Sequence, residues 1–296
     1  MSIILVVSGC GLVEKESLIM TKNAVSAKAV SSKAMEINRE FALIDSRDGS
    51  TAATFVPADD KDKEQHEEDM KALVRQMADK FDQPMTPSKV EDGKLLPGQS
   101  RVVLDEEALF NQLLNLSAFS HEILLPITET APNITQEALN GAAQTVIGSY
   151  KTTFNPSVAG RSTNIALSSN AIDDIVLGPG DRFYFNLAVG ERTPARGYQK
   201  ALEIVNKEFV EGIGGGICQT SSTLYNAVAK AGLEIIELHH HSKEVGYVPI
   251  NQDATVSWGG YDFKFMNNKD FPVIIKTIVD QKSGSLEVQI LAASIN

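Results

Sequence analysis

The sequence predicts an α+β protein whose C-terminal half is a mixed or antiparallel sheet carrying one prominent helix. Short segments rich in β-branched and aromatic residues alternate with Gly, Pro and Asp turns after residue 140, as is typical of strands. Among them, Leu224, Val228 and Ala231 recur at spacings of three and four before Gly232, which indicates an amphipathic helix with a glycine stop. The predicted strands span 147–154, 183–187, 204–210, 233–238, 254–258, 263–266, 273–279 and 286–291, and 168–174 is predicted to be a short helix.

The preceding residues predict a smaller α+β domain. Apolar alternation on both sides of a turn-rich stretch predicts a hairpin over 36–56, and apolar periodicity predicts a helix over 59–80. A second helix near 104–110, opened by acidic residues, precedes a strand at 123–127, and 84–97 is interpreted as a Pro- and charge-rich connection. We therefore expect a tether over 1–35, one domain over 36–140 and a second over 141–296.

Composition narrows the classes of partner. The 296 residues carry a formal net charge of -11, which argues against nucleic acid because its phosphates require clustered Lys and Arg. No apolar run approaches the ~20 residues of a membrane-spanning helix. Any membrane attachment is therefore expected at the N-terminus.

The first residues resemble the end of a bacterial lipoprotein signal. Ile3 to Val7 are aliphatic, and Ser8-Gly9-Cys10 then matches two small residues before a lipidated cysteine. We expect Cys10 to anchor the protein to the membrane, outside the cytoplasm. The alternative is a short buried strand. If Cys10 is lipidated, Cys218 is the remaining thiol and has no disulfide partner.

Cys218 is a candidate nucleophile because it lies where the predicted helix begins. The free N–H groups and positive dipole end of a helix N-terminus stabilise a thiolate. Gly215 and Gly216, just before it, could aim backbone N–H groups at a developing oxyanion. The alternative is a buried structural cysteine beside a tight turn.

Three consecutive histidines follow about twenty residues later. If the strand before them continues, His239 and His241 share one face. If the chain folds that face toward the Cys218 helix, one of them can take the thiol proton, with Asp253 or Asp262 to orient it. A zinc site and simple exposure at a strand end are the alternatives. Arg161 and Arg192 are cations that could hold a carboxylate or an amidated acid, and the alternative is that they are simply solvated at the surface.

These motifs together resemble the VanW domain, a bacterial family named from glycopeptide-resistance gene clusters. The central match is Gly214-Gly215-Gly216-Ile217-Cys218-Gln219. The other matching blocks occur in the family's order at 161–165, 179–186, 190–193, 197–198, 222–225, 239–242, 247–249 and 253–256. More loosely, 36–139 resembles the peptidoglycan-binding domain that often precedes VanW domains.

The resemblance implies an L,D-transpeptidase that forms 3-3 cross-links between peptidoglycan stem peptides through a cysteine thioester. Cys218 is then the nucleophile, His241 the first choice as base and His239 the second. Gln219 and Tyr247, in matching blocks, join the arginines and glycines as expected substrate-binding residues. The family's usual His-Pro-His-Ser becomes His239-His240-His241-Ser242 here, which makes His240 an unsuitable base.

Two other functions stay open at this point. One is a cysteine-dependent peptidoglycan hydrolase, in which water replaces the acceptor amine. The other is a non-catalytic peptidoglycan-binding or glycopeptide-resistance accessory protein. Neither the transferase nor these alternatives requires a cofactor or a metal ion.

Overall fold

The computed structural model describes residues 40–57, 63–116, 121–140, 142–205 and 208–295. Cys10 and the predicted tether lie outside these residues. Within them, no helix is long and apolar enough to cross a membrane.

The N-terminal half combines short strands with two longer helices. The strand Phe41–Ile44 pairs antiparallel with Thr51–Phe55, which confirms the predicted hairpin, and parallel with Glu122–Leu124. The strand Arg101–Leu104 pairs antiparallel with Ile127–Thr130. Leu43, Met70, Leu109 and Leu125 are buried in one core between these strands and the two helices. The elements are β1 (Phe41–Ile44), β2 (Thr51–Phe55), α1 (Lys63–Phe81), β3 (Ser88–Glu91), β4 (Lys94–Leu96), β5 (Arg101–Leu104), α2 (Glu106–Leu114), β6 (Glu122–Leu124), β7 (Ile127–Thr130) and α3 (Gln136–Asn140).

The C-terminal half contains most of the strands. One antiparallel sheet has three strands, in the order Arg182–Tyr184, Lys264–Met266 and Glu234–Glu237. A separate hairpin is formed by Lys200–Val205 and Glu208–Ile213. The elements are β8 (Ala142–Thr153), α4 (Ala159–Ile172), β9 (Ile175–Leu177), β10 (Arg182–Tyr184), α5 (Phe185–Val189), β11 (Lys200–Val205), β12 (Glu208–Ile213), α6 (Ile217–Ala231), β13 (Glu234–Glu237), β14 (Lys264–Met266), β15 (Val273–Asp280) and β16 (Ser285–Ile295), with a 3-10 turn at Pro194–Arg196.

The largest sheet is antiparallel and six-stranded, in the order β4-β3-β9-β15-β16-β8. Leu286, Val288 and Ile290 on β16 are fully buried in the main core, as the two-residue period of a strand requires. β3 and β4, from the N-terminal half, join this sheet through β9. The predicted α+β fold class is confirmed.

Helix α6 lies against β8 and β16 and carries the cysteine near its N-terminus, as predicted. Leu224, Ala227 and Val228 are fully buried against the sheet. A Cβ at Gly148 on β8 would fall 2.3 Å from the carbonyl oxygen of Ala227, so the missing side chain allows this close contact. The position of Cys218 therefore depends on how closely α6 packs on the sheet.

The strand predicted at 254–258 is wrong. Its backbone is held by side chains of α6, because Ala254 N–H donates to Ser222 Oγ at 2.9 Å and Ser221 Oγ donates to the Ala254 oxygen at 2.6 Å. The buried side chains of Ala254 and Val256 give the same apolar pattern as a strand. The segment is instead a loop bound to the helix.

The short helix predicted at 168–174 is also wrong in extent, since α4 begins at Ala159. Its buried residues include Ser162, Asn164 and Ser168, so no apolar stripe marks this face in the sequence. The buried amide of Asn164 is satisfied by hydrogen bonds, because its Nδ2 donates to the carbonyl oxygens of Gln199 and Gly215. Polar burial of this kind escapes a hydrophobic pattern.

Three further boundaries differ from prediction. The strand expected at 204–210 is the hairpin of β11 and β12, and 183–187 divides into β10 and α5. The connection at 84–97 contains β3 and β4, whose register is fixed by pairing to each other and to β9. In each case tertiary pairing outweighs the local pattern.

Gly148→Ala tests the close contact between β8 and α6. The added methyl group would meet backbone atoms of α6, so we expect the free energy of unfolding to fall by about 1–3 kcal/mol or more. Urea denaturation measures the change. Gly246→Ala is the matched control, because a Cβ there meets no atom within 4 Å, and its effect should stay within about 0.5 kcal/mol. Equal stability of the two variants would contradict the packing described.

Candidate active site

Three glycines, Gly214 to Gly216, form the turn that connects β12 to the start of α6. Gly214 and Gly216 have φ values of +102° and +112°, which other residues rarely adopt. At Gly215 a Cβ would fall 2.6 Å from the carbonyl oxygen of Leu202, so the turn lies tightly against β11. Cys218 is consequently the second residue of the helix and is partly exposed.

Two backbone donors beside the thiol are uncommitted. The N–H groups of Ile217 and Gln219 bond to the carbonyl oxygens of Gly214 and Gly216. In the parts of the chain that the structure describes, no acceptor bonds to the N–H groups of Gly216 and Cys218. Free donors at a helix N-terminus favour an anion, so this turn can stabilise a thiolate or a carbonyl oxyanion.

His241 and Asp253 form a hydrogen-bonded pair next to Cys218. His241 Nδ1 lies 2.6 Å from Asp253 Oδ2, and the His241 backbone N–H donates to the same oxygen at 2.6 Å. The His241 side chain is only 7% exposed. With Nδ1 engaged by the carboxylate, Nε2 is the ring nitrogen free to exchange a proton with the thiol.

The electrostatics favour an ion pair between Cys218 and His241. Burial raises the pKa of the Cys218 thiol, but the hydrogen bond and positive charge of His241 outweigh burial and lower that pKa overall. Burial lowers the pKa of His241, but the Cys218 thiolate and the Asp253 carboxylate outweigh burial and raise that pKa overall. Both shifts act in the direction of a thiolate beside an imidazolium.

The other two histidines are placed differently. β13 ends at Glu237, so the predicted alternation of faces does not continue through the histidines and that expectation is wrong. His239 Nε2 pairs with Glu237 Oε1 at 2.9 Å, and its ring packs on Tyr261 at a centroid distance of 4.4 Å. His240 Nδ1 lies 3.1 Å from the second carboxylate oxygen of Asp253.

Asp262, the alternative orienting residue, has other partners. Its Oδ1 accepts hydrogen bonds from the backbone N–H groups of Asn186 and Phe263 at 2.8 and 2.9 Å. Burial raises the pKa of its carboxyl group. Asp253 is thus the carboxylate brought to His241, and Asp262 fixes the start of α5.

Sequence reasoning missed the hydroxyl groups that hold the site loop. Ser221 and Ser222 bond to Ala254 on the loop, and Ser222 Oγ also donates to the Cys218 carbonyl oxygen at 2.7 Å. Thr255 Oγ1 lies 3.9 Å from the Cys218 sulfur. The only signal was the run of four consecutive hydroxyl residues at 220–223, soon after Cys218, which the fold buries on α6.

The thiol faces a cleft of about 1140 Å³. Its lining includes Arg161, Arg192 and Tyr247, together with Gly215 and Gly216. Leu202, Gln219, Trp258 and Tyr261 also line the cleft. The predicted site residues that the structure describes therefore gather around Cys218, apart from His239.

Gln219 differs from its expected role because its side chain is fully engaged. Its Nε2 donates to Thr152 Oγ1 and to the Thr153 carbonyl oxygen, each at 3.0 Å, while Oε1 accepts from Arg161 Nη2 at 2.7 Å. Buried to 1% exposure, it positions Arg161 and leaves no amide group for a ligand.

Tyr247 lies over the guanidinium of Arg161, with the carbon of that group 5.8 Å from the ring centroid. Burial and the nearby Cys218 charge raise the pKa of its phenol well above the usual range, so it stays protonated. It can therefore donate a hydrogen bond but cannot act as a base. Among the described residues, no group of three or more His, Cys, Asp or Glu side chains is arranged to hold a metal ion.

Comparison with known proteins places this geometry in context. Residues 160–291 match the family described as VanW like protein. The chain is 37% identical over 226 residues to the "Uncharacterized protein YoaR" of Bacillus subtilis (strain 168), which is 75% of this chain and 74% of that protein. It is 27% identical over 124 residues to the "Vancomycin B-type resistance protein VanW" of Enterococcus faecalis (strain ATCC 700802 / V583), or 40% of this chain and 45% of that protein. No solved structure matches the chain significantly.

His241→Ala tests the ion pair without a substrate. In a Cys10→Ser background, where Cys218 is the remaining thiol, the rate of iodoacetamide alkylation should follow the thiolate fraction. Because the pKa of Cys218 is lowered, the wild-type rate falls only at a pH below the usual cysteine value. Removing His241 leaves burial as the main influence, so the midpoint should move upward. Mass spectrometry across pH measures it.

His239→Ala is the comparison variant, because its ring bonds to Glu237 instead of facing the thiol. Its alkylation midpoint should match that of the parent protein. A larger upward shift in His239→Ala than in His241→Ala would contradict the assignment of His241.

Asp253→Asn tests the orienting carboxylate. The amide keeps the shape but not the charge that raises the pKa of His241, so the imidazolium should be lost at a lower pH. Proton NMR titration of the His241 ring measures this downward shift. Asp262→Asn, which removes a different buried carboxylate, should leave the titration unchanged. An unshifted His241 titration in Asp253→Asn would refute the role of Asp253.

Proposed function

The chain belongs to the VanW-like protein family, and on that premise we propose that it is a peptidoglycan L,D-transpeptidase acting through Cys218. The observation that carries the proposal is the hydrogen-bonded pair of His241 and Asp253 beside the Cys218 thiol, at a helix N-terminus that faces an open cleft. His241 lowers the pKa of that thiol. The VanW relative is named for vancomycin resistance, which favours a cell-wall substrate.

In the first step the Cys218 thiolate attacks the carbonyl carbon between the third and fourth residues of a donor tetrapeptide stem. The carbonyl electrons move to oxygen, where the free N–H groups of Gly216 and Cys218 can bind them. As the C–N bond breaks, the His241 imidazolium gives its proton to the departing amine of D-alanine. The product is a thioester on Cys218.

In the second step an amine of a neighbouring stem attacks the thioester carbonyl. His241, now neutral, takes a proton from the attacking nitrogen, and the C–S bond breaks to restore the thiolate. Asp253 keeps Nδ1 of His241 engaged in both steps, so Nε2 does both proton transfers. One amide is broken and one is formed, with no oxidant or reductant.

The cleft is larger than a pocket for one small molecule, as transfer between two stems requires. A pocket for one small molecule is usually about 300–1000 Å³, and this cleft is about 1140 Å³. Donor and acceptor stems must lie beside Cys218 at the same time, whereas hydrolysis needs room for only one stem and a water.

Attachment to the cell envelope is part of the proposal. Lipidation of Cys10 would keep the enzyme at the outer face of the membrane, next to peptidoglycan. Residues 36–140 would bind the glycan or stem and bring the cleft to its substrate. Both statements rest on sequence patterns, and fractionation of a Cys10→Ser protein away from the membrane would support the first.

Incubation of purified protein with disaccharide tetrapeptide tests the reaction. We expect a cross-linked dimer and one D-alanine per cross-link by mass spectrometry. Cys218→Ala should abolish both products, because no other described side chain can form the thioester. The substitution should leave the fold intact. His240→Ala, whose ring lies 42% exposed on the other carboxylate oxygen, should cost less than His241→Ala.

The products separate the three candidate functions. Released D-alanine without dimer would favour the hydrolase. Absence of both products from folded wild-type protein would favour a binding or accessory protein. Undiminished product from Cys218→Ala would exclude cysteine catalysis.

A further inference from the structure

Two cationic side chains beside the nucleophile have no acidic partner. Among the described residues, neither Arg161 nor Arg192 has a carboxylate oxygen within 4 Å, although the chain has 38 acidic residues against 27 basic ones. Other partly buried cations are paired, as Lys264 is with Glu237 and Lys276 with Asp174. Two partly desolvated guanidinium groups without a contacting carboxylate are costly, and an anionic ligand that bonds to them would offset that cost.

Both arginines are braced in the same way. Arg161 Nη2 donates to Gln219 Oε1 and Arg192 Nη2 donates to Asn186 Oδ1, each at 2.7 Å. Tyr247 and Trp258 lie against the respective guanidinium groups, at 5.8 and 5.9 Å from ring centroid to carbon. A neutral amide and an aromatic ring therefore fix the position of each guanidinium group but do not neutralise its positive charge.

The two side chains flank the glycine turn before Cys218. A Cβ at Gly216 would fall 3.0 Å from Arg161 Cγ, and one at Gly214 would fall 3.3 Å from Arg192 Cγ. Both guanidinium groups are close enough to Cys218 to interact with its charge. The arginines, the thiol and the free N–H groups therefore form one positively polarised end of the cleft.

Most of the donor capacity of Arg161 is left for a ligand. Only its Nη2 is bonded within the described residues, while Nε and Nη1 are uncommitted and not sealed from the cleft. Arg192 Nη1 is buried without a hydrogen-bond partner among the described residues, so it too has a donor that no protein group satisfies. A bidentate carboxylate is the anion that best matches a guanidinium fork.

We propose that Arg161 and Arg192 form a clamp for the free C-terminal carboxylate of the donor stem, which restricts attack to the last peptide bond of that stem. The inference rests on the proposed function. Three bonds separate the scissile carbonyl carbon from that carboxyl carbon, so the two lie no more than about 4 Å apart. A group that holds this carboxylate must therefore lie beside the nucleophile, as both arginines do.

The clamp also explains how the enzyme would select the C-terminal peptide bond of a stem peptide. A stem with a further residue, or with an amidated C-terminus, has no carboxylate at this position and leaves the guanidinium groups unpaired. Sites built around buried charges reject ligands that lack the partner more strongly than apolar pockets do. Chain-end specificity then follows from charge pairing.

The test compares the disaccharide tetrapeptide with its C-terminal amide. With wild-type protein, we expect kcat/KM for the free acid to exceed that for the amide by roughly 10- to 100-fold, the usual value of a charge-assisted hydrogen bond. In Arg161→Gln and Arg192→Gln, kcat/KM for the acid should fall by a similar factor while that for the amide changes little. The acid-to-amide ratio should therefore approach one.

Arg196→Gln is the matched control, since it removes the same charge nearby from a side chain that bonds to the Glu191 carbonyl oxygen and does not itself line the cleft. Its acid-to-amide ratio should equal that of the wild type. Arg161→Lys, which keeps the charge but not the fork, should retain part of the preference. A purely structural role for the arginines would lower the melting temperature and leave the ratio unchanged.

Calorimetry separates this inference from the proposed reaction. Binding of the acid and the amide to Cys218→Ala protein requires no turnover, and the acid should bind at least 10-fold more tightly. If wild-type protein turns over neither substrate but this binding preference holds and is lost with Arg161→Gln, the reaction is wrong and the clamp is right. Equal turnover of acid and amide, or equal or absent binding of the two, would overturn the clamp.

Discussion

The site depends on hydrogen bonds between the first turns of α6 and the loop that carries Asp253. Ser221 and Ser222 hold both the N–H and the carbonyl oxygen of Ala254, directly after the carboxylate that binds His241. The helix that begins beside the nucleophile thus also positions the base and its orienting acid. A displacement of α6 would move all three groups together, so their mutual geometry is better protected than their position in the fold.

Two opposing effects determine the charge state of Cys218 and His241. Burial disfavours the charged form of each group, and their mutual pairing favours it. Burial alone would favour a neutral thiol and a neutral imidazole, yet each group raises the charged fraction of the other. Asp253 adds to this balance from the far side of the ring, where it accepts two bonds on one oxygen. The surrounding arginines extend the positive environment to where a substrate anion would lie, although the chain as a whole is acidic.

The sequence predicts the parts of this site that follow periodic patterns and misses the parts held by polar contacts. Helix α6 and the position of Cys218 follow from apolar spacing and the flanking glycines, while the choice of His241 came from family resemblance and not from strand alternation. The loop at 254–258 resembled a strand because Ala254 and Val256 are buried, but hydroxyl groups hold its backbone. Helix α4 was largely missed because serine and asparagine line its buried face, and no local pattern reports their distant partners.

The rim of the cleft bears on which reaction the thioester undergoes. Leu202, Trp258 and Tyr261 are each more than half exposed and line the same opening, so the mouth is apolar and aromatic while the end near Cys218 is cationic. Flat aromatic faces and exposed aliphatic groups suit the sugar rings and extended stems of a polymer better than a small soluble ligand. An occupied mouth would also limit access of water to the thioester. Retention of the polymer there would favour an incoming amine over hydrolysis, because the two stems are held together while the acyl group waits on sulfur.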